Sequence, residues 1–526
     1  MEKASKNLIY GIEDKPPLLT TLTLGFQHYL TMFGSTVAIP LILSKPLGLS
    51  DDPVALGWLI GTMFFVSGLT TLMQTTFGNR LPIVQGGTFS FLGPTIAICT
   101  MAALNDQTLG AEIAAMNLGE DAPKIWHLRL QHVQGAIIVG GVVEAILGYS
   151  GLVGKLLRFI GPITIAPTIA LIGLALFKFG APIAGAHWPI GGLTIGLIIL
   201  FSQYLRRTHR VFEMFPILLA IGLAWGVAAL CTAAGIFPGA VLNEAGVVVT
   251  AAHPAHVSTA ALEAAPWFRL PMPFQWGWPQ FGVAASVGLM AGVVASIIES
   301  VGDYHSCSLL SGAPIPTEKV INKGIGMEGI GCIVAGIFGT GNGTTSYSEN
   351  IGAIGLTRVG SRRVVQAGAA IMLVLGAVGK FGGIFTTIPS PIVGGMYCAM
   401  FGMIVSVGLS NLQYVNLNSA RNLFIIGFAF FMGLSVPEYF TGKILCVEVG
   451  GFTECTEVLR NRFDGILPGW LGSILSTIGR TSMAVGAFIA LVLDNTIPGT
   501  PEERGMTAWR ADRHGGSEAQ GPSGEA

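Results

Sequence analysis

Charged side chains are scarce in this chain. Asp, Glu, Lys and Arg make up 11% of its 526 residues, against roughly 25% in an ordinary soluble domain. With 51% apolar residues and a mean hydropathy of +0.65, that scarcity excludes a soluble globular fold and implies a membrane protein. A net charge of −1 leaves no basic footprint for nucleic acid. The 7 cysteines are scattered without a CxxC or zinc-type spacing, so no metal motif is expected. Cys446 and Cys455 flank VEVGGFTE in a polar loop, where either a disulfide or two free thiols would fit. The N-terminal MEKASKNLIYGIEDKPP has no apolar h-region of a signal peptide. Nor is there a phosphate-cradling loop or a nucleophile triad, so an enzyme is not expected and no cofactor is implied. The tail after Asp494 is polar and expected to be disordered.

What is abundant is glycine, at 73 residues, which suits close helix packing and broken helices in lipid. An apolar run of about 20 residues crosses a bilayer as a helix. Such runs lie near 20–43, 55–77, 82–102, 132–150, 156–177, 189–205, 213–236, 279–310, 325–340, 362–380, 390–410 and 420–436. Adding the short polar stretch 343–357 and the stretch 471–494 with its Arg480 gives about 14 spans at that length. With both termini on the cytoplasmic side, 18 of the 28 Lys and Arg residues fall there. That is the bias of the positive-inside rule, and it leaves two long external loops near 103–131 and 237–278.

The third and tenth spans open on small polar residues, VQGGTFSF at 84–91 and NGTTSYSENIG at 342–352. Interrupted segments at matching positions of two halves point to an inverted-repeat transporter and its binding site. Thr, Ser, Tyr and Phe favour extended backbone. Each segment therefore reads as a short strand leading into a half-helix, or as a Gly-kinked ordinary helix. In the first reading the two strands satisfy each other's backbone, and the half-helix N-termini offer N–H groups to an electron-rich ligand.

Three carboxylates sit where hydrocarbon should exclude them. A charge at the bilayer centre costs roughly 3 kcal/mol or more and usually marks an ion or substrate path. Glu299 and Asp303 are spaced i, i+4, so they share a helix face. They suit proton carriage, a sodium ligand set, or hydrogen bonding to ring N–H groups. Glu349 stands at the start of the second half-helix, where a carboxylate is stabilised. Asn350 offers donor and acceptor together, and Tyr347 and Phe89 offer flat surfaces for stacking. Ser348 lies beside them. Gln27 and His28 lie early in the first span; His28 reads equally as a proton relay or a neutral strut. Glu144 is expected to make a helix-to-helix hydrogen bond, and His305 to pack away from the Glu299 stripe.

Taken together, QH at 27–28, ESVGD at 299–303 and ENIGAIGLTR at 349–358 resemble the nucleobase–ascorbate transporter family, also called nucleobase:cation symporter-2. Glu349, Asn350, Gly352, Thr357 and Arg358 match every fixed position of its signature, Gln/Glu/Pro-Asn-x-Gly-x4-Thr-Arg/Lys/Gly, and the resemblance runs over about 20–503. It implies an all-α polytopic membrane protein of 14 transmembrane segments in 7+7 inverted repeats, with short antiparallel strands in segments 3 and 10. A core domain (20–150 and 279–382) would move against a gate domain (151–240 and 383–495) as an elevator. Residues 1–19 and 496–526 would be cytoplasmic and 241–278 an external loop. Family members usually pair as homodimers through the gate domain.

The resemblance also implies a nucleobase gripped by Glu299 and Glu349, with Phe89, Ser348, Asn350 and Tyr347 around it. Asp303, His28, Gln27, Thr357 and Arg358 would give support and coupling to H+ or Na+, with Asp303 as a possible Na+ ligand. The signatures are mixed. Ascorbate members typically carry Pro where Glu349 stands. Uracil permeases usually carry His where Asp303 stands, and xanthine permeases Gln at position 349. Flanks such as SRRVVQ and HWPIGG are similar to the animal ascorbate branch. The implied function is cation-coupled nucleobase symport across the plasma membrane, for uracil, xanthine or hypoxanthine, with sodium–ascorbate symport as the alternative.

Overall fold

A computed structural model describes residues 8–50, 52–101, 104, 106–115, 123–156, 159–242, 248–440, 444–449, 452–457 and 466–507. The C-terminal tail expected to be disordered after Asp494 is instead packed as far as residue 507, where Arg504 bonds Asp494 and Met506 is buried; the rest of that expectation lies outside the described residues. In chain order the main elements are α1 (Leu18–Leu47), α2 (Pro53–Thr76), β1 (Gln85–Gly87), α3 (Leu92–Cys99), α4 (Asp106–Ala115), α5 (Ile125–Tyr149), α6 (Pro162–Ala175), α7 (Trp188–Ile199) and α8 (Pro216–Ala233). There follow β2 (Val241–Leu242), β3 (Val248–Thr250), α9 (Val283–Ser311), α10 (Glu318–Phe338), β4 (Thr344–Ser346), α11 (Ser348–Thr357), α12 (Arg362–Gly376) and α13 (Gly379–Thr386). The chain closes with α14 (Ser390–Ser410), α15 (Ala420–Phe440), β5 (Ile444–Val449), β6 (Phe452–Glu457), α16 (Gly469–Gly479) and α17 (Ser482–Thr496). Among the described residues, 9 helical stretches are long and apolar enough to cross a membrane.

Two of the interrupted segments meet at the centre. β1 and β4 pair antiparallel, with Gln85 opposite Ser346, Gly86 opposite Thr345 and Gly87 opposite Thr344. A strand in an apolar interior must have its backbone groups satisfied, and neighbouring side chains complete what the short ladder leaves open. Thr71 Oγ1 accepts from the Gln85 N–H at 2.8 Å, and Asn342 Oδ1 accepts from the Thr88 N–H at 3.0 Å. The chain then turns into α3 and α11, helices of 8 and 10 residues. Gly86 is required here because a side chain would meet the Tyr347 ring at 2.7 Å.

Helices pack into two sets. In the first, α5 lies on α10, and α12 on α1 and α2. These seams are backbone against backbone: a side chain at Gly329 would lie 2.3 Å from the Ala145 nitrogen, and one at Gly25 would lie 2.8 Å from the Gly368 nitrogen. Small residues permit such approach where lipid supplies no hydrophobic drive. In the second set, α14 lies on α6 and α7, and α17 on α6 and α15. The sets touch through α9 and α16, and through Phe89 and Phe401, whose rings stand edge-on at 6.5 Å.

Three stretches differ from the sequence reading. The run 471–494 is two helices, broken where Arg480 ends α16 and Thr481 starts α17; the break lets Arg480 reach the Thr100 carbonyl at 3.2 Å. α5 begins at Ile125, earlier than hydropathy places it, because Arg129 is buried and bonds the Leu104 carbonyl at 3.0 Å. The polar loop around Cys446 and Cys455 is a hairpin with those two residues directly opposite. Their side chains, and hence the disulfide question, lie outside the described residues.

Candidate functional site

The strand–half-helix pair faces α9. Glu299 and Asp303 lie one turn apart on that helix. Glu299 is half-buried and has no hydrogen-bond partner among the described residues. Asp303 is buried. Its Oδ1 accepts from Ser348 Oγ at 2.6 Å and its Oδ2 from Ser346 Oγ at 2.8 Å. Strand alternation explains the pair: residues i and i+2 share a face, so Ser346 and Ser348 both point to Asp303. Glu349 is exposed to the cleft, and its Oε1 accepts from Ser35 Oγ of α1 at 2.6 Å. The charges of Glu299, Asp303 and Glu349 lie within electrostatic reach of one another.

A further carboxylate completes the cluster. Glu328 of α10 is buried at 2% exposure. Its Oε1 accepts from Gln85 Nε2 at 3.0 Å and its Oε2 from Ser300 Oγ at 2.5 Å. Ser300 Oγ lies 2.9 Å from Thr345 Oγ1 and 3.1 Å from Ser346 Oγ. Hydroxyls thus run unbroken from Asp303 to Glu328. Among the described residues, none of these carboxylates pairs with Lys or Arg; their donors are neutral.

The remaining predicted residues divide. Phe89 is half-buried at the junction with Phe401, so it borders the cleft. Tyr347 alternates to the opposite face from its serine neighbours. It is buried, with its hydroxyl 3.3 Å from Thr36 Oγ1, so its ring packs within the first helix set. Asn350 Nδ2 donates to the His28 carbonyl at 2.8 Å and lies 3.3 Å from its Nδ1. The two form a buried strut between α1 and α11. Gln27 turns toward Met214, with Nε2 3.7 Å from the sulfur. Thr357 bonds the Ala353 carbonyl at 2.9 Å. Arg358 ends α11 in the left-handed region, at φ 58°, and its carbonyl receives the Ile9 N–H at 2.8 Å. His305 bonds the Val301 carbonyl of its own helix at 2.8 Å. Glu144, expected to bond from helix to helix, has the Cys332 thiol of α10 against it and no N–H or O–H donor on either oxygen.

Sequence reasoning missed Glu328, Ser35, Ser300 and Ser346. Glu328 carried the signal that revealed its neighbours, a charge inside an apolar run, GIGMEGIG. Ser35 and Ser300 carried none, because a serine in a membrane helix usually bonds its own backbone, and Ser346 was one of several small polar residues in the stretch 342–352.

A permease family model matches residues 19–442. The chain is 44% identical to solute carrier family 23 member 2 of Mus musculus, over 99% of this chain and 79% of that one. It is 37% identical to nucleobase-ascorbate transporter 1 of Arabidopsis thaliana, over 96% and 92%. Among solved structures it is similar in fold to the murine Solute Carrier 26 family member A9 anion transporter in its inward-facing state. That likeness has a TM-score of 0.53 and 12% identity, covering 85% of this chain and 73% of that one. A helical polytopic membrane protein with these relatives is a transporter and not an enzyme, and the chain belongs to the permease family of the nucleobase–ascorbate transporters.

Proposed function

We propose that the chain is a secondary active transporter coupling the movement of a nucleobase, uracil or a purine such as xanthine or hypoxanthine, to a H+ or Na+ gradient. The observation that carries this reading is the pair Glu299 and Glu349. One is unpartnered and the other cleft-exposed with a single side-chain donor. Two carboxylates accept hydrogen bonds from the ring N–H groups of a neutral heterocycle, and they repel an anion that arrives without a cation. Asp303, held by two hydroxyls, is the anchor for the coupling cation.

In this reading the first helix set, with α9–α13, is the core domain and the second set the gate domain. The chain makes 14 crossings in 7+7 inverted repeats, with both termini cytoplasmic at the plasma membrane. The core moves against the gate as an elevator, and two copies pair through their gate domains. The experiment is uptake into proteoliposomes under an imposed proton or sodium gradient, with labelled uracil, xanthine, hypoxanthine and ascorbate. A base should accumulate, and Glu299→Gln should lower its uptake at least tenfold without loss of protein. Normal accumulation in that variant would sink the site assignment.

A second reading, sodium-dependent ascorbate symport, is favoured by one observation: flanks such as SRRVVQ and HWPIGG are similar to the animal ascorbate branch. Sodium-driven ascorbate uptake with no base accumulated would replace the first reading with the second.

A further inference from the structure

Glu144 is the buried acid that the site above leaves unused. It is 0% exposed, on the face of α5 that packs against α10, and neither carboxyl oxygen has an N–H or O–H donor. The seam around it is tight. A side chain at Gly141 would lie 2.6 Å from the Gly329 carbonyl oxygen, and one at Gly148 2.2 Å from the Gly326 nitrogen. Such a seam has no space for a hydrated ion, and an unpaired buried carboxylate is strongly disfavoured. A proton is the ligand that fits.

The groups facing Glu144 bear on this. From α10 come Glu328, within electrostatic reach, and the Cys332 thiol, which lies against it. Cys332 Sγ is also 3.4 Å from both the Thr344 carbonyl oxygen and the Thr344 nitrogen. From α9 comes the Tyr304 hydroxyl, which accepts from Gln74 Nε2 at 2.8 Å. The other elements on α5 place their titratable groups elsewhere. Cys99 of α3 lies near Arg129, and Glu112 of α4 near His132, both toward the start of α5. Lys155 lies beyond its C-terminal end. No cation among these faces Glu144.

We infer that Glu144 is a proton-binding site on the α5–α10 seam, facing Glu328, whose own hydroxyl path through Ser300 and Ser346 leads to Asp303. Along that path each hydroxyl accepts a proton on one side and releases its own on the other. The proton comes from water on the Asp303 side and reaches Glu328; when Glu328 passes it on, Glu144 changes from carboxylate to carboxylic acid and Glu328 returns to carboxylate. The site is a side branch of the cleft, so its occupancy sets a pH dependence separate from the cation at Asp303.

The test is infrared difference spectroscopy on the full chain in liposomes under a pH jump. This readout needs no substrate, so it stands if the proposed cargo is wrong. The wild type should gain and lose a protonated-carboxyl band with pH. That band should be absent in E144Q and shifted in E328Q. A band unchanged in E144Q, or one present at every pH as for a permanently neutral acid, would overturn the proposal. If E144Q does not fold, an unshifted band in E328Q overturns it alone.

Discussion

Asp494 and Asp303 are both aspartates buried within apolar helices, at 1% and 6% exposure, yet they are held in different ways. Asp494, near the end of α17, lies between two guanidinium groups. Arg421 Nη2 reaches its Oδ1 at 3.1 Å, and Arg504 Nη2 reaches its Oδ2 at 2.9 Å. Arg504 Nε adds a bond at 3.0 Å, and Arg421 also holds the Asp494 and Ile497 carbonyls. Its charge is cancelled on the spot, by partners with no reason to leave. Asp303 has only serine hydroxyls. Neutral donors orient a carboxylate but leave its charge in place, so the site retains an attraction for a mobile cation. In one molecule, then, a buried carboxylate with a built-in counter-ion serves as a fastening, and one with only hydroxyl donors is left, on the proposed function, to serve as a receptor.

Substitutions can break that contrast. Asp494→Ala leaves two arginines without their buried partner and should cost about 3–5 kcal/mol, seen as a large fall in thermal midpoint of the purified protein. Asp303→Asn should stay within about 1 kcal/mol of wild-type stability, because the serine hydroxyls can turn to suit the amide. It should instead lose the ion dependence of uptake. Equal destabilisation by the two variants would erase the distinction.

Ser35→Ala removes the hydroxyl that orients Glu349 and should weaken substrate binding about fivefold, the equivalent of ~1 kcal/mol. A competition assay over several bases would show whether the loss depends on the base. Asp52 sharpens the comparison from the water-accessible side. Burial opposes its charge, but the Lys124 ammonium at 2.5 Å and the Ala55 N–H outweigh it and hold the carboxyl below its usual value. A lowered value stabilises the fold above the ordinary aspartate range, near pH 4, and the gain fades as pH falls through the folded value. Asp52→Ala should cost about 1 kcal/mol through the lost cap, and the difference should shrink in acid melts.

Much of the candidate site is legible in the sequence because charge in hydrocarbon is conspicuous. Glu299, Asp303 and Glu349 were found that way, and Glu328 carried the same mark. The two Gly-rich and Thr-rich interruptions were visible as breaks in apolar runs, and they hold β1 and β4. Ser35, Ser300 and Ser346 could not be read. Ser35 acts on Glu349 from 314 positions away, a contact that only packing creates. Tyr347 could have been placed by period-2 alternation, which puts it on the opposite face from Ser346 and Ser348. The helix break at Arg480 escaped hydropathy because a window average passes over one charged residue.

The glycine seams also bear on inheritance. A glycine codon cannot mutate by one base to a smaller residue; alanine, serine, valine, cysteine, arginine, tryptophan, aspartate and glutamate are all larger. At Gly25, Gly148, Gly329 and Gly368, where a first carbon would lie 2.2–2.8 Å from backbone, nearly every missense step is therefore obstructive. At Gly192, Gly222 and Gly402, where nothing lies within 4 Å, the same steps meet open space. Variants of this gene found in a population should be distributed accordingly, sparse along the α5–α10 and α1–α12 crossings and frequent on the outward faces of α7, α8 and α14.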